Sequence, residues 1–318
     1  MPIDYLHNHP NFKDLLSITA NEMGILPSLV EKDYWIMQVL YGLTIQDFKF
    51  ELKGGPSLSK GYRIINRFSE DIDIHIMPPE SFKINENPNN TKAANIASRK
   101  EFYNWLATTI KIDGIIEVER DVTFDDTEYY RSGGVRLFYK NLFGKVAGLK
   151  EGILLEAGFD TVTPNQKLNI SSWAFDKAEQ TGGIRLTDNR AIDIACYDQG
   201  YTFVEKLQTI ATKFRQEQSG QLRRPNFMRQ YYDIYCLLGD DHVQQFIGTP
   251  AYLTHKEKRF PAADRQIPIA ENEAFLLNNV ILKADFIKRY RGTSALYYNG
   301  QPDFEVLLER IHANIAKL

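Results

Sequence analysis

Cysteine is nearly absent from this 318-residue chain; only Cys196 and Cys236 occur. Neither shows metal-ligand spacing, and two thiols make no disulfide framework. Both are expected as reduced thiols in apolar surroundings, which fits a cytoplasmic protein. The six histidines show no zinc-like spacing, and no Ser-His-Asp or Cys-His arrangement can be argued. No run approaches ~18 apolar residues, and the start MPIDYLHNHP lacks an apolar h-region. Neither a membrane span nor a signal peptide is expected. Net charge is only −3. It is uneven, because residues 201–318 hold 16 Lys and Arg against 13 Asp and Glu and leave the earlier part acidic. Ordinary scatter explains an asymmetry of this size as well as a polyanion-binding back half does. No internal repeat is evident.

What is present is a soluble-type composition, 43% hydrophobic and 25% charged, enough for one large or two medium domains. The spacing predicts a helix over 12–23 ending at Gly24. A second should follow Pro27 and run to about Leu43, with Ser28 and Glu31 at capping-box spacing. KFEL (49–52) reads as a strand, then a Gly-rich turn enters a helix with Pro56 in its first turn. Residues 71–76 read as a strand, 78–93 as a polar loop and NIASRKEFYNWLATTI as a helix. IIEVERDVTF, VRLFYK and GILLEAGF have strand character. After about residue 190 the pattern turns helical, at 199–217, 227–238, 272–290 and 303–316. The expectation is an α/β (α+β) domain with a mixed sheet over 1–190 and a helical domain over 191–318, with the active-site cleft between them.

Within RFSEDIDIHI, Asp71 and Asp73 fall on one strand face and the isoleucines on the other. Two carboxylates side by side repel, and a divalent cation would remove the repulsion. Gly54-Gly55 ends the preceding strand, and Ser57 lies in the helix that follows, with thirteen residues between it and Asp71. Such a turn lets backbone approach phosphate, and Ser57 at a helix N-terminus offers a donor. Later, Glu156 stands in the apolar run GILLEAGF, where a lone carboxylate is costly unless paired or metal-bound. Nucleotidyl transfer needs this set: hard cations on carboxylates, clamping a triphosphate. Glu156 would be a third ligand or the base for the attacking hydroxyl. Asp160 is the alternative third acid, less favoured because it follows the strand end. Each motif alone is weak; solvated acid pairs and tight Gly turns are common.

GGPSLSKGYRIINRFSEDIDIHI resembles the first motif of DNA-polymerase-β-like nucleotidyltransferases, and more narrowly the AbiEii/AbiGii toxin family with its MenT-like members. EKDYW (31–35) is similar to that family's N-terminal signature. FVEKLQTIATK is similar to its helical E-K-L motif, with Thr209 in place of a small residue. RQYYDIYCL is similar to its R-D-x-x-D motif, although Gln230 stands where the first aspartate is expected. The resemblance spans residues 31 to about 237. It implies a toxin of a toxin–antitoxin or abortive-infection system, an NTP substrate, Mg²⁺ (or Mn²⁺) and a cognate antitoxin. Some relatives add nucleotides to the tRNA 3′ end, so tRNA is the implied acceptor. By the same resemblance Asp71 and Asp73 are metal ligands, and Lys206 and Asp233 are active-site residues. Ser69 matches a serine whose modification silences relatives, since a phosphate there would repel triphosphate and carboxylates alike.

Simpler readings stand beside these. Lys206 also suits a solvated helix face, and Asp233 an i,i+4 pair with Arg229. Asp33 suits the helix dipole of its first turn, and Tyr34 and Trp35 suit packing. Lys60, on the helix of Ser57, is expected at phosphate ahead of Lys53. His75 shares the face of Asp71 and Asp73 but also suits a strand end. Cations at 213–229, 255–259 and 283–291, interleaved with aromatics, suit either an RNA backbone or solvated helices. Two alternatives to tRNA remain open: transfer to a protein or an aminoglycoside-like small molecule, and a non-catalytic relative that only binds RNA or protein.

Overall fold

Strict alternation organises the sheet. Along β2 (Asp71–Ile76) the burial pattern alternates, with Ile72, Ile74 and Ile76 fully buried and Asp71, Asp73 and His75 facing the other way. In the computed structural model, residues 4–145, 149–160, 162–183, 185–220, 223–224 and 226–318 are described. Their order opens with α1 (Phe12–Met23), α2 (Pro27–Ile45) and β1 (Phe50–Lys53). A short helix α3 (Gly54–Pro56) is continued by a π-turn (Ser57–Gly61), and β2 follows. Next come α4 (Ala93–Thr109), β3 (Ile115–Asp121), β4 (Ser132–Tyr139) and β5 (Ile153–Gly158). The series continues with β6 (Asn165–Ile170), α5 (Trp173–Thr181) and β7 (Ala191–Tyr197). The strands form one mixed sheet in the order β3-β4-β5-β2-β1-β7-β6. β2 runs antiparallel to β1 and parallel to β5, and β1 is parallel to β7. These elements make one compact unit, Met1–Gly61 with Phe68–Tyr197.

The expected mixed sheet is present, and two of its strands were not anticipated. β6 is a polar edge strand, NQKLNI, so it carries little of the hydrophobic alternation that marks a half-buried strand. In β7 the alternation is broken where Asp193 adopts a left-handed backbone, φ 55°. The sheet therefore extends past the expected turn to helical pattern at 190.

The apolar face packs on helices. Tyr103 of α4 lies against Gly133, where a Cβ would stand only 2.6 Å from its ring. Trp35 of α2 stacks on Tyr139 at 4.9 Å between ring centroids. α2 is buried on all sides, which marks a core helix rather than an amphipathic surface one. The expected capping box does not form. Leu26 is the N-cap, Pro27 takes the first helical position, and the Ser28 hydroxyl is buried without a partner. Glu31 instead accepts the backbone N–H of Leu142. Asp33 lies one turn further in than expected and is only 1% exposed. It pairs with Lys60 at 2.5 Å and accepts the N–H of Trp173, which joins α2 to the π-turn and to α5. The dipole account of Asp33 is thus replaced by a buried ion pair.

The second unit comprises Tyr62–Arg67 and Asp198–Leu318. Its longest helices are α6 (Gln199–Gln218), Val280–Arg291 and Phe304–Asn314, with α7 (Arg229–Leu237) packed among them. Asp198 caps α6 by accepting the N–H groups of Gly200 and Tyr201. The helix expected over 272–290 is broken: Leu277 is left-handed, φ 47°, and Asn279 caps a new helix. Phe227, Tyr231, Phe286 and Phe304 form the aromatic core. The segment 62–67 is stitched into this unit by Tyr298 Oη, which donates to the Ile65 carbonyl, and by the Asn66 N–H, which donates to Tyr232 Oη.

Removing one member of a buried ion pair leaves the other uncompensated, at a cost of ~3–5 kcal/mol. Asp33→Ala should therefore lower the unfolding free energy by ~3–5 kcal/mol in urea titrations. Asp33→Asn combined with Lys60→Met should recover most of that loss, because Asn keeps the acceptor for Trp173.

Candidate active site

The registers of four strands align one row of residues on the polar sheet face. Lys53 of β1 pairs with Asp73 of β2, Asp73 with Glu156 of β5, and Glu156 with Gly134 of β4. Neighbouring strands lie about 4.8 Å apart, so Asp73 and Glu156 are direct lateral neighbours. Asp71 stands two residues along β2 on the same face. Burial, then the charges of Asp73 and Asp71, push the Glu156 carboxyl up to about 8, against the opposing charges of Lys150 and Lys53. Glu156, rather than Asp160, is thus the acid beside the aspartates. Asp160 follows the strand and pairs with Lys53 at 3.5 Å.

Gly54 is required at the end of β1. Its φ is +71°, and a Cβ there would stand 2.2 Å from the Asp73 carboxylate. The turn therefore brings bare backbone against Asp73. Gly55 is buried in the short helix behind it. Ser57 is fully buried beside the Cys196 thiol, so its hydroxyl is not presented at a surface for phosphate as expected. Lys60 is not a free phosphate ligand either. Its ammonium is held by Asp33, by the carbonyl of Ser171 and over the ring of Trp173. Ser69 is half-buried just before β2. His75 shares the polar face but bonds Glu51 at 3.2 Å and Glu86 at 3.3 Å. Burial pushes the two thiols, Cys196 and Cys236, up to about 12 and about 11, so neither is a ready nucleophile.

No sequence motif marks Lys150. Its ammonium donates to Asp71 and lies 4.6 Å from the centre of the Phe124 ring. Its backbone is gripped on both sides: the N–H donates to Glu70 at 2.9 Å, and the carbonyl accepts from Lys32 at 2.6 Å. Lys32 and Glu70 form a buried pair at 3.4 Å. The other Asp71 oxygen, Oδ1, is buried without a hydrogen-bond partner. Among the described residues no three His, Cys, Asp or Glu side chains converge as a metal-binding group. Asp71 is turned to Lys150, and Glu156 stands beside Asp73 in the row. The residues nonetheless suit a hard cation, because an orphaned carboxylate oxygen sits beside a second aspartate with open backbone at Gly54.

Lys206 and Asp233 form a cluster with Arg67 inside the second unit. Asp233 is fully buried and bonds the Arg67 guanidinium at 2.6 and 2.7 Å and Lys206 at 2.9 Å. Burial alone would raise its carboxyl; Arg67 and Lys206 overcome this and hold it at about 2. Neither simple reading holds, since Lys206 is not solvated and the guanidinium on Asp233 comes from Arg67. Several expected RNA-facing cations are also paired. Arg215 binds Asp264, Arg223 binds Asp285, Arg289 binds Glu217 and Arg259 binds Glu205.

Two outcomes follow. Gly54→Ala should cost about 1–2 kcal/mol of stability from its left-handed backbone and should reduce activity more than tenfold by displacing Asp73, read by urea titration alongside turnover. Glu156, raised from 4.5 to about 8, opposes folding once it ionises. Its contribution is fully present below the unfolded value and is lost as pH rises through about 8. In EDTA, Glu156→Gln should flatten the fall in melting temperature between about pH 5 and 8. Glu31, pushed up to about 7 mainly by burial, leaves a residual slope in the same window.

The chain matches the family described as nucleotidyl transferase AbiEii toxin, type IV TA system, over residues 38–310. The match begins after EKDYW and continues well past residue 237, where the recognisable motifs end. No curated protein sequence gave a match. A solved structure of an antigenic nucleotidyltransferase-like protein from Paracoccidioides brasiliensis is 11% identical, covering 73% of this chain and 95% of its own, with a TM-score of 0.35. A likeness that low leaves the site to be read from the chain itself. No helix among the described residues is long and apolar enough to cross a membrane. With most of its length matched, the chain belongs to the AbiEii family of nucleotidyltransferase toxins.

Proposed function

We propose that the row Lys53–Asp73–Glu156, with Asp71 beside it, is the site at which a nucleoside monophosphate passes from an NTP to an acceptor hydroxyl. The observation that carries this reading is the lateral pairing of Asp73 with Glu156 next to the orphaned oxygen of Asp71. Asp71 and Asp73 would hold Mg²⁺. The bound ion would polarise the α-phosphate and neutralise charge on the departing pyrophosphate. Gly54, lacking a Cβ, lets the Asp73 carboxylate lie directly against the backbone that ends β1. Glu156, the lateral neighbour of Asp73 one strand away, takes the proton of the attacking hydroxyl. The acceptor oxygen bonds to the α-phosphorus, the bond to the β-phosphate oxygen breaks, and pyrophosphate leaves with the electron pair.

The proposed acceptor is tRNA, on the resemblance to relatives that modify its 3′ end. The exposed cations Arg224, Lys258, Lys288 and Arg291 are available for such a backbone. The family membership further implies a cognate antitoxin and a cytoplasmic site of action.

Purified protein with Mg²⁺, bulk tRNA and each α-³²P-labelled NTP tests this. Label should enter tRNA with the preferred NTP, and Asp71→Asn combined with Asp73→Asn should lower incorporation by at least about 10³-fold. Absence of label with all four NTPs would overturn the tRNA reading. Label entering a protein or small molecule from whole lysate would instead identify another acceptor.

A further inference from the structure

The proposed site already contains a cation of its own. Lys150 places an ammonium on Asp71, yet the side chain remains 29% exposed and so is not locked into the interior. Its backbone, by contrast, is fixed at both N–H and carbonyl by the buried Glu70–Lys32 pair. A fixed backbone carrying a partly exposed ammonium on a long side chain suits a residue whose ammonium changes partners over a short range. Phe124 supplies an aromatic face beside the ammonium, which tolerates it without fixing its direction.

We propose that Lys150 is a substrate-contacting residue, whose ammonium neutralises Asp71 in the absence of metal and transfers to the phosphate chain of the NTP when metal takes Asp71. This rests on the nucleotidyl-transfer reading and names a residue of the same site. The physical reason is charge balance. Asp71, Asp73 and Glu156 crowd one sheet face, and a cation from the chain relieves their repulsion before a metal arrives. Once a divalent ion occupies the aspartates, the ammonium is repelled from it, and the nearest concentrated negative charge is the triphosphate. There it opposes the charge that builds on the leaving pyrophosphate.

Two binding measurements of opposite sign test this. Isothermal titration of Mn²⁺ without nucleotide should show Lys150→Met binding the ion at least about tenfold more tightly than the wild type, because the competing ammonium is gone. Titration of inorganic tripolyphosphate in the presence of Mg²⁺ should show the same variant binding at least about tenfold more weakly. Lys150→Arg should keep much of the second interaction. NTP turnover by Lys150→Met should fall roughly 10²-fold. A misfolded variant weakens both ligands together. Unchanged Mn²⁺ affinity, or tripolyphosphate binding equal to wild type, would overturn the proposal. If the wild type turns over none of the four NTPs, the nucleotidyl-transfer reading fails, while the two titrations still judge Lys150.

Discussion

Three consecutive charged side chains on α2, Glu31, Lys32 and Asp33, are all but removed from water, and the parts of the site hang on them. Burying a charge is costly unless it is paired and hydrogen-bonded. Successive helical residues point about 100° apart, so each of the three reaches a different neighbour. Glu31 holds the backbone at Leu142, Lys32 holds Glu70 and the carbonyl of Lys150, and Asp33 holds Lys60 and the start of α5. The next two residues complete the anchor. Tyr34 bonds His7 and Asn189, and Trp35 stacks on Tyr139. The stretch EKDYW therefore acts as a clamp that fixes the segments around the candidate site.

This arrangement explains why one face of the sheet can carry so many acids. The isoleucines of β2 are fully buried on its apolar face, which fixes the register. Register then dictates that Asp73 meets Glu156 and that Lys53 lies on the other side. Lys53 and Lys150 oppose the repulsion this creates, and one oxygen of Asp71 is buried without a hydrogen-bond partner. In the second unit the opposite solution is used. Asp233 is saturated by Arg67 and Lys206 and held well below its ordinary value. The first cluster keeps a carboxyl raised well above its ordinary value, and the second a carboxylate held below it.

The placement of the candidate site residues was largely legible in the sequence where it depended on short-range pattern. The alternation of DIDIHI, the Gly-Gly turn and the acid in GILLEAGF placed Asp71, Asp73, Gly54 and Glu156 correctly on strands and turn. What was not legible depended on long-range pairing. Lys60 looks like a phosphate ligand until Asp33, twenty-seven residues earlier, is seen to take it. Lys150 carries no motif, because its position is set by Glu70 and Lys32 rather than by its neighbours. β6 was missed because an edge strand needs only one paired side and tolerates polar residues. Asp193 hid β7 by breaking its alternation.

The most direct test of this account is a crystal structure grown with Mn²⁺ and inorganic tripolyphosphate, using the anomalous signal to locate the ion. The account predicts manganese on Asp71 and Asp73, with the Lys150 ammonium moved from Asp71 onto the phosphate chain. Manganese bound away from these two aspartates, or Lys150 still on Asp71 with both ligands present, would contradict it.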